Sequence, residues 1–299
     1  MTRLTKAIIK TLCFFAIFSR PLTLEELWQF LYKTKASKLQ VLLALQKMQA
    51  KKIIIKKKAY FALAINKNIF RIFGENRLIC HANWRKVTWV VKILRFTPFV
   101  KNISIINSLS FGTSHKNSDI DILIIAKKNR LWTARAFVVF LLELIGQNKN
   151  KWQIAGKFCL GFAFDEKRLN LEKIQLQKYI YSPYWLANLT PVFDRRIYKN
   201  LIIENQWLKQ ELPNWLPKKV DRVSTKLSIV EKFLNSRIGD RLENWLANIQ
   251  IKRVWADPEN IRGKKGSVIA SGSMLKMHPY DKRPEYQSKF RNFYLQSGA

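Results

Sequence analysis

Apolar positions along the chain recur at two different periods, and each change of period marks an element. Near the N-terminus Ile8, Ile9, Leu12 and Phe15 fall at helical spacing and predict a helix over residues 5–19 with one buried face. Pro21 interrupts it. Thr23 and Glu26 then stand at the spacing of a capping box, in which side chain and backbone satisfy each other's free groups, and open a second helix over 24–32. Ser37 is placed to cap a third helix over 38–50, with Leu39, Leu42, Leu43 and Leu45 expected inward. Two apolar runs, 53–55 and 59–63, flank Lys56, Lys57 and Lys58 and read as a hairpin with a basic tip.

Residues 68–98 carry Leu78, Trp84, Val87, Val91 and Leu94 near helical spacing, and Pro98 ends that helix by pushing its predecessor out of the helical region. The pattern then becomes that of strands. Residues 100–106 and 119–126 are β-branched, apolar runs on either side of a turn rich in Ser, Thr, Asn and Gly. An apolar helix follows over 131–146, then a polar loop to residue 151. A third strand over 157–164 is expected to place Phe158, Leu160, Phe162 and Phe164 on one face and Cys159, Gly161 and Ala163 on the other. Beyond 170 the chain reads as mainly helical: an aromatic segment over 179–189, a helix over 197–212 stopped by Pro213, and a long amphipathic helix over 227–251. Val230, Phe233, Leu234, Ile238, Leu242, Trp245 and Leu246 form its stripe. The basic stretches 262–267 and 274–283 read as a flexible tail or as a clasp on a substrate.

These patterns divide the chain into residues 1–66, 67–170 and 171–299. The first has the element order of a winged helix-turn-helix, whose third helix would offer Lys38, Gln40, Gln46 and Lys47 to a nucleic-acid groove. The plainer expectation is a small packing domain with a solvated lysine face.

Composition changes this picture in two ways. The net charge is +34, which suits a polyanionic partner such as RNA or DNA. The excess is spread evenly, at +11, +12 and +11 over the three segments, so it marks no single patch and also fits a lysine-rich habit of composition. Cys13, Cys80 and Cys159 form no closely spaced pair; this argues against a disulfide framework or zinc site and suits a reducing cytoplasm. The apolar patch 12–18 is short and runs into a capped helix, so it reads as core and not as a signal peptide. The helix over 131–146 is too short for a bilayer and carries Arg135 and Glu143, so no transmembrane segment is expected.

The candidate chemistry lies in the turn and its second strand. Strand side chains alternate, so Asp119 and Asp121 share a face. Two adjacent carboxylates repel, and one stays protonated unless a cation sits between them. Hard oxygen donors suit Mg²⁺, which takes one or two carboxylates plus substrate phosphates. The turn 107–114 offers hydroxyls and backbone N–H groups to phosphate oxygens. His115 lies in the same turn, and Arg130 and Arg135 follow shortly after the aspartates.

Ser108, the run Phe111-Gly112-Thr113 to Ser118, and then Asp119-Ile120-Asp121 stand in the order of a known signature. The stretch resembles the polymerase-β-type nucleotidyltransferase superfamily, in which a strand ending in Gly-Ser is followed about ten residues later by Asp-h-Asp, h being apolar. Asn107 replaces the first Gly of that pattern, and Asn is the residue after Gly that best tolerates a left-handed backbone. The resemblance implies an α+β fold, with a nucleotidyltransferase core of small mixed sheet and helices, flanked here by an N-terminal winged helix and a C-terminal helical domain. It implies transfer of a nucleoside monophosphate from a nucleoside triphosphate to an RNA, protein or small-molecule acceptor, with Mg²⁺ or Mn²⁺ as cofactor. Asp119 and Asp121 would hold the metal. Asn107, Ser108, Gly112, Thr113, Ser118 and Arg130 would bind the nucleotide. The superfamily's third carboxylate has no counterpart on the strand 157–164, where Gly161 stands near its expected place; Asp165 and Glu166, just past that strand, would substitute only if the register shifts, and Asp165 is the candidate third ligand or base. Without it, the alternative is a degenerate nucleotide- or nucleic-acid-binding regulator.

Overall fold

The computed structural model describes residues 1–66, 68–172, 174, 179–220, 229–263 and 267–298, and among these the fold is mixed α+β with two sheets. The N-terminal segment runs α1 (Arg3–Ala16), β1 (Leu22–Thr23), α2 (Leu24–Gln29), α3 (Lys38–Ala50), β2 (Ile54–Lys57) and β3 (Tyr60–Leu63). Both expected caps form. Thr23 and Glu26 make a reciprocal capping box at the start of α2, and Ser37 and Gln40 make one at α3. The three strands pair antiparallel in the order β1-β3-β2.

The buried face of α3 differs from the expected one. Val41, Leu45 and Met48 point inward, while Leu39 and Leu43 are exposed. Helical spacing selects one stripe, and four closely spaced leucines cannot all lie on it. Lys38 is ion-paired with Glu25 and lies over the Trp28 ring, and Gln40 is used in the cap, so Gln46 and Lys47 are the exposed members of the expected contact set.

The main sheet is built from β4 (Val100–Ile105), β5 (Ile120–Ala126) and β6 (Phe158–Asp165), preceded by α4 (Ile69–Leu94). The short helix α5 (Asn107–Ser110) follows β4, and α6 (Leu131–Leu144) links β5 to β6. The region after 170 is not a separate helical domain. It contains α7 (Tyr181–Asn188), β7 (Thr190–Asp194), α8 (Tyr198–Ile203), α9 (Trp207–Glu211), α10 (Ile229–Leu234), α11 (Arg237–Ala256), α12 (Pro258–Arg262), β8 (Val268–Ser271), β9 (Met274–Met277) and α13 (Arg283–Gln296). Its three strands enter the same sheet, in the order β7-β4-β5-β6-β9-β8. Only β5 and β6 run parallel; the other neighbours are antiparallel. Pro191 lies in β7, an edge strand, where a missing N–H is tolerated. The strands β8 and β9 have four residues each, too short for alternation to declare them.

The stripe expected over 227–251 is interrupted at Asn235-Ser236, between α10 and α11. Leu234 is buried and Leu242 and Leu246 pack partly, but Val230, Phe233, Ile238 and Trp245 are exposed. Leu227, and Lys264 to Gly266 of the expected basic tail, lie outside the described residues.

Two cores sandwich the sheet. On one face Val87, Val90 and Leu94 of α4, and Trp132 and Val138 of α6, pack on Ile120, Ile122 and Ile124. On the other, Ile8, Phe14 and Phe15 of α1 share one cluster with Leu123, Phe162, Tyr184 and Leu208. The Phe14 and Tyr184 rings stack with centroids 4.1 Å apart. Residues 1–66 therefore contribute to the same hydrophobic core as residues 106–215. No helix among the described residues is long and apolar enough to cross a membrane.

Glu243 of α11 is buried and closes the N-terminus of α6. It accepts hydrogen bonds from the backbone N–H groups of Trp132 and Thr133, both at 2.8 Å, and from the Thr133 hydroxyl at 2.6 Å. Removing this acceptor orphans buried donors at the positive end of a helix dipole. Glu243→Ala is expected to lower the unfolding free energy by about 2–4 kcal/mol, measured by chemical denaturation.

Candidate functional site

Strand β4 leads directly into the polar turn. Asn107 takes φ +55°, the left-handed backbone expected where the signature has Gly, and Gly112 takes φ +69°. The turn is closed by Thr113 N–H donating to Ser108 O at 2.8 Å and by Ser118 Oγ accepting from His115 N–H at 3.0 Å. Asn107 is held in place by Trp185 of α7, whose indole N–H donates to Asn107 Oδ1 at 3.0 Å. The hydroxyls add to the closure: Ser108 and Ser114 share a hydrogen bond at 3.3 Å, and the Thr113 hydroxyl donates to Ser108 O at 3.2 Å.

A cavity of about 710 Å³ opens beside this turn. Asn107, Ser108, Thr113 and Ser118 line it, together with Asp119 and Asp121, so the structure gathers most of the expected residues at one place. The aspartates leave β5 on the face that also carries Leu123, opposite Ile120 and Ile122. Asp119 Oδ2 accepts from Lys149 Nζ at 2.6 Å. Burial and the Asp119 charge beside it push the Asp121 carboxyl up to about 7, although Asn107 hydrogen-bonds to it. Burial is the largest single influence and works against the Lys149 ammonium, but the hydrogen bond to Asp119 and the acidic groups around it together outweigh it and raise its pKa. Cys159 is paired with Asp121 in the β5–β6 register. Burial, reinforced by the Asp121 charge, drives its thiol up to about 12, so it is neutral. Oxygens of the two aspartates and Cys159 Sγ lie within 4.8 Å of one another.

Two expected residues lie elsewhere. Asp165 pairs with Ala126, at the other end of the strands from the Asp121–Cys159 pair, about 16 Å away at roughly 3.3 Å per residue. It is fully buried and accepts from the backbone N–H groups of Asn129 (2.9 Å) and Lys167 (3.0 Å), so it caps turns and is neither a third ligand nor a base. Arg130 is at that same end, buried and ion-paired with Asp240 at 2.6 Å, so it does not reach the cavity. Arg135 is likewise committed, to Gln250 at 2.6 Å. The third strand also departs from simple alternation. A one-residue shift between the Asp121–Cys159 and Leu123–Phe162 pairs turns Phe162 and Phe164 to the α1 side, while Phe158 and Leu160 face α4 and α6.

The remaining walls come from distant parts of the chain. Phe18 follows α1; Tyr181 and Trp185 belong to α7; Lys276, His278 and Arg283 come from β9 and the start of α13. Tyr181 stacks on Tyr286 with centroids 5.2 Å apart and on Phe111 at 6.2 Å. The stretch 274–283 had signalled itself as a basic tail; Lys149, in the polar loop after α6, gave no signal beyond its charge. Comparison of the chain with protein-family models, curated proteins and solved structures found no match.

The raised pKa of Asp121 sets a pH dependence. An unfolded carboxyl loses its proton near 4, the folded one near 7, so in that window the folded state binds more protons. Stability should therefore fall as pH rises from about 4 to 7 and level off above. Asp121→Asn is expected to abolish that fall, and above pH 7, in chelator, to exceed the parent in stability by roughly 2–4 kcal/mol in denaturation experiments.

Proposed function

We propose that this chain is a nucleotidyltransferase of the polymerase-β type, moving a nucleoside monophosphate from a nucleoside triphosphate to an acceptor hydroxyl and releasing pyrophosphate. One observation carries the reading: two carboxylates on one strand face a serine-bearing turn inside a large cavity, and burial together with the Asp119 charge holds Asp121 near 7. Such a pair is completed by a divalent cation. The donor set fits Mg²⁺ or Mn²⁺: Asp119 and Asp121 provide hard oxygens, and the neutral Cys159 thiol is no competitor for a hard ion. When bound, such an ion supplies positive charge against the phosphate oxygens as the bond to the leaving group breaks.

The chain's own groups do the rest. Ser108, Thr113 and Ser118, with the N–H groups of their turn, bind phosphate oxygens. Lys149 adds a cation at the mouth of the aspartate pair. The aromatic wall around Phe18, Tyr181 and Tyr286 gives a nucleobase a surface to stack on. The helices and small sheet of residues 1–66 support a winged-helix reading for that segment, and the overall positive charge favours RNA among the candidate acceptors.

A second reading follows from a specific feature. Cys159, not a carboxylate, is in register with Asp121, and Lys149 already neutralises Asp119. A nucleotide-binding regulator without chemistry has this arrangement. Incubation with labelled ATP, CTP, GTP or UTP, Mg²⁺ and RNA, protein or small-molecule acceptors separates the two. For the transferase, label moves to an acceptor, and Asp119→Ala and Asp121→Ala each reduce transfer about 100-fold or more while circular dichroism stays unchanged. Triphosphate binding with no transfer to any acceptor identifies the regulator.

A further inference from the structure

The aspartate pair lacks a partner to take the acceptor's proton. Asp165 is remote, and among the described residues the only other titratable ligand-type group close to the pair is the neutral thiol of Cys159. Strand β9, the next strand in the sheet, carries His278 just beyond its end, and the imidazole lines the same cavity. Its Nδ1 lies 2.7 Å from the Met277 carbonyl oxygen. A carbonyl only accepts, so Nδ1 carries the hydrogen, and the neutral ring has its lone pair on Nε2. That nitrogen has no hydrogen-bond partner among the described residues.

Its position is tied to the aspartates through Gly161. A Cβ built on Gly161 would lie 3.6 Å from His278 Cε1 and 3.7 Å from Cys159 Sγ. Imidazole and thiol thus flank one point above the strand, and the thiol is grouped with both aspartates. A longer side chain at 161 would run into the ring. The bare glycine and the histidine are complementary: β6 offers no acid there, and the neighbouring strand fills the space with a base.

We propose that His278 is the general base of the transfer. This assignment rests on the nucleotidyltransferase reading above. In the step, the acceptor O–H bond breaks and its proton goes to Nε2. The freed oxygen forms a bond to the α-phosphorus. The bond from that phosphorus to the oxygen bridging to the β-phosphate breaks, and pyrophosphate leaves with the electron pair. The imidazolium then returns its proton to water.

The surroundings suit this role. The charged and titratable groups around the ring are Lys276 on β9, Asp281 and Arg283 at the start of α13, Cys159 on β6 and Tyr181 on α7. Arg283 is tied to Asp281 by two contacts of 2.7 Å. Burial, opposed in part by the Met277 carbonyl and joined by the positive charges of Lys276 and Arg283, holds the imidazole pKa below its ordinary value. A base must be unprotonated, so it is ready at neutral pH and fails as pH drops through that value.

The test uses the full chain, saturating Mg²⁺, α-labelled nucleoside triphosphates and bulk tRNA. Pyrophosphate release is followed from pH 5 to 8, and binding of a non-hydrolysable triphosphate analogue with Mn²⁺ is measured in parallel. His278→Ala is expected to lower turnover about 10²–10⁴-fold, to leave analogue binding within about threefold, and to lose the acidic limb of the rate profile; added imidazole restores at least about tenfold of the loss. Turnover of His278→Ala within about threefold of the parent overturns the assignment and leaves the transferase reading standing. A loss that imidazole does not recover, or that brings loss of analogue binding, overturns it in favour of a structural role. Absence of transfer by the parent chain to tRNA and to the protein and small-molecule acceptors above overturns the transferase reading, and the base with it.

Discussion

Asp119 and Asp121 leave one strand on the same side, into a half-enclosed cavity, and like charges so placed raise each other's free energy. The surroundings answer this repulsion. Lys149 reaches back from the loop after α6 to neutralise one carboxylate, the Asn107 amide bonds to the other, and Cys159 stays a neutral thiol beside them. The remaining strain is a raised affinity for a proton, or for any small cation that displaces one. The turn from Asn107 to Ser118, fixed by its own hydrogen bonds, holds hydroxyls and N–H groups opposite that charge.

Neither the aspartate strand nor its turn makes a cavity alone. The closing walls come from α1, α7 and the β9–α13 junction, so residues at both extremes of the described chain meet across the sheet face. Phe14 and Phe15 pack on Tyr184, and α1 packs on α13. This shared core explains why the three-segment division drawn from the apolar patterns does not describe independent units. The boundary near residue 170 cuts through a single sheet, to which the later residues supply both edges.

What local patterns reveal is local. Thr23 with Glu26 and Ser37 with Gln40 act over three residues, and both caps formed where their spacing put them. The runs of β-branched residues at 100–106 and 119–126 declared their strands, which form at 100–105 and 120–126, and Asn107 declared its left-handed turn. Features that depend on a distant partner stayed hidden. The β6 shift moves two phenylalanines across the sheet and is invisible to simple alternation. Asp165 and Arg130 are close in sequence to the aspartates, yet the strands carry them to the opposite end, because each residue of extended chain adds about 3.3 Å. Lys149 and His278 join the site only through topology, which no spacing along the chain expresses.

The separation between the aspartate strand and the strand that completes its cavity has a consequence in time. About 150 residues lie between Ala126 and Lys276. At roughly 5–20 residues per second of synthesis, the carboxylate pair leaves the ribosome some 8–30 s before the wall bearing His278. Throughout that interval the nascent sheet lacks β9, the neighbour of β6, and the pair faces open water. Closure of the cavity is thus delayed until translation has passed the closing strand, a timer written into the order of the gene.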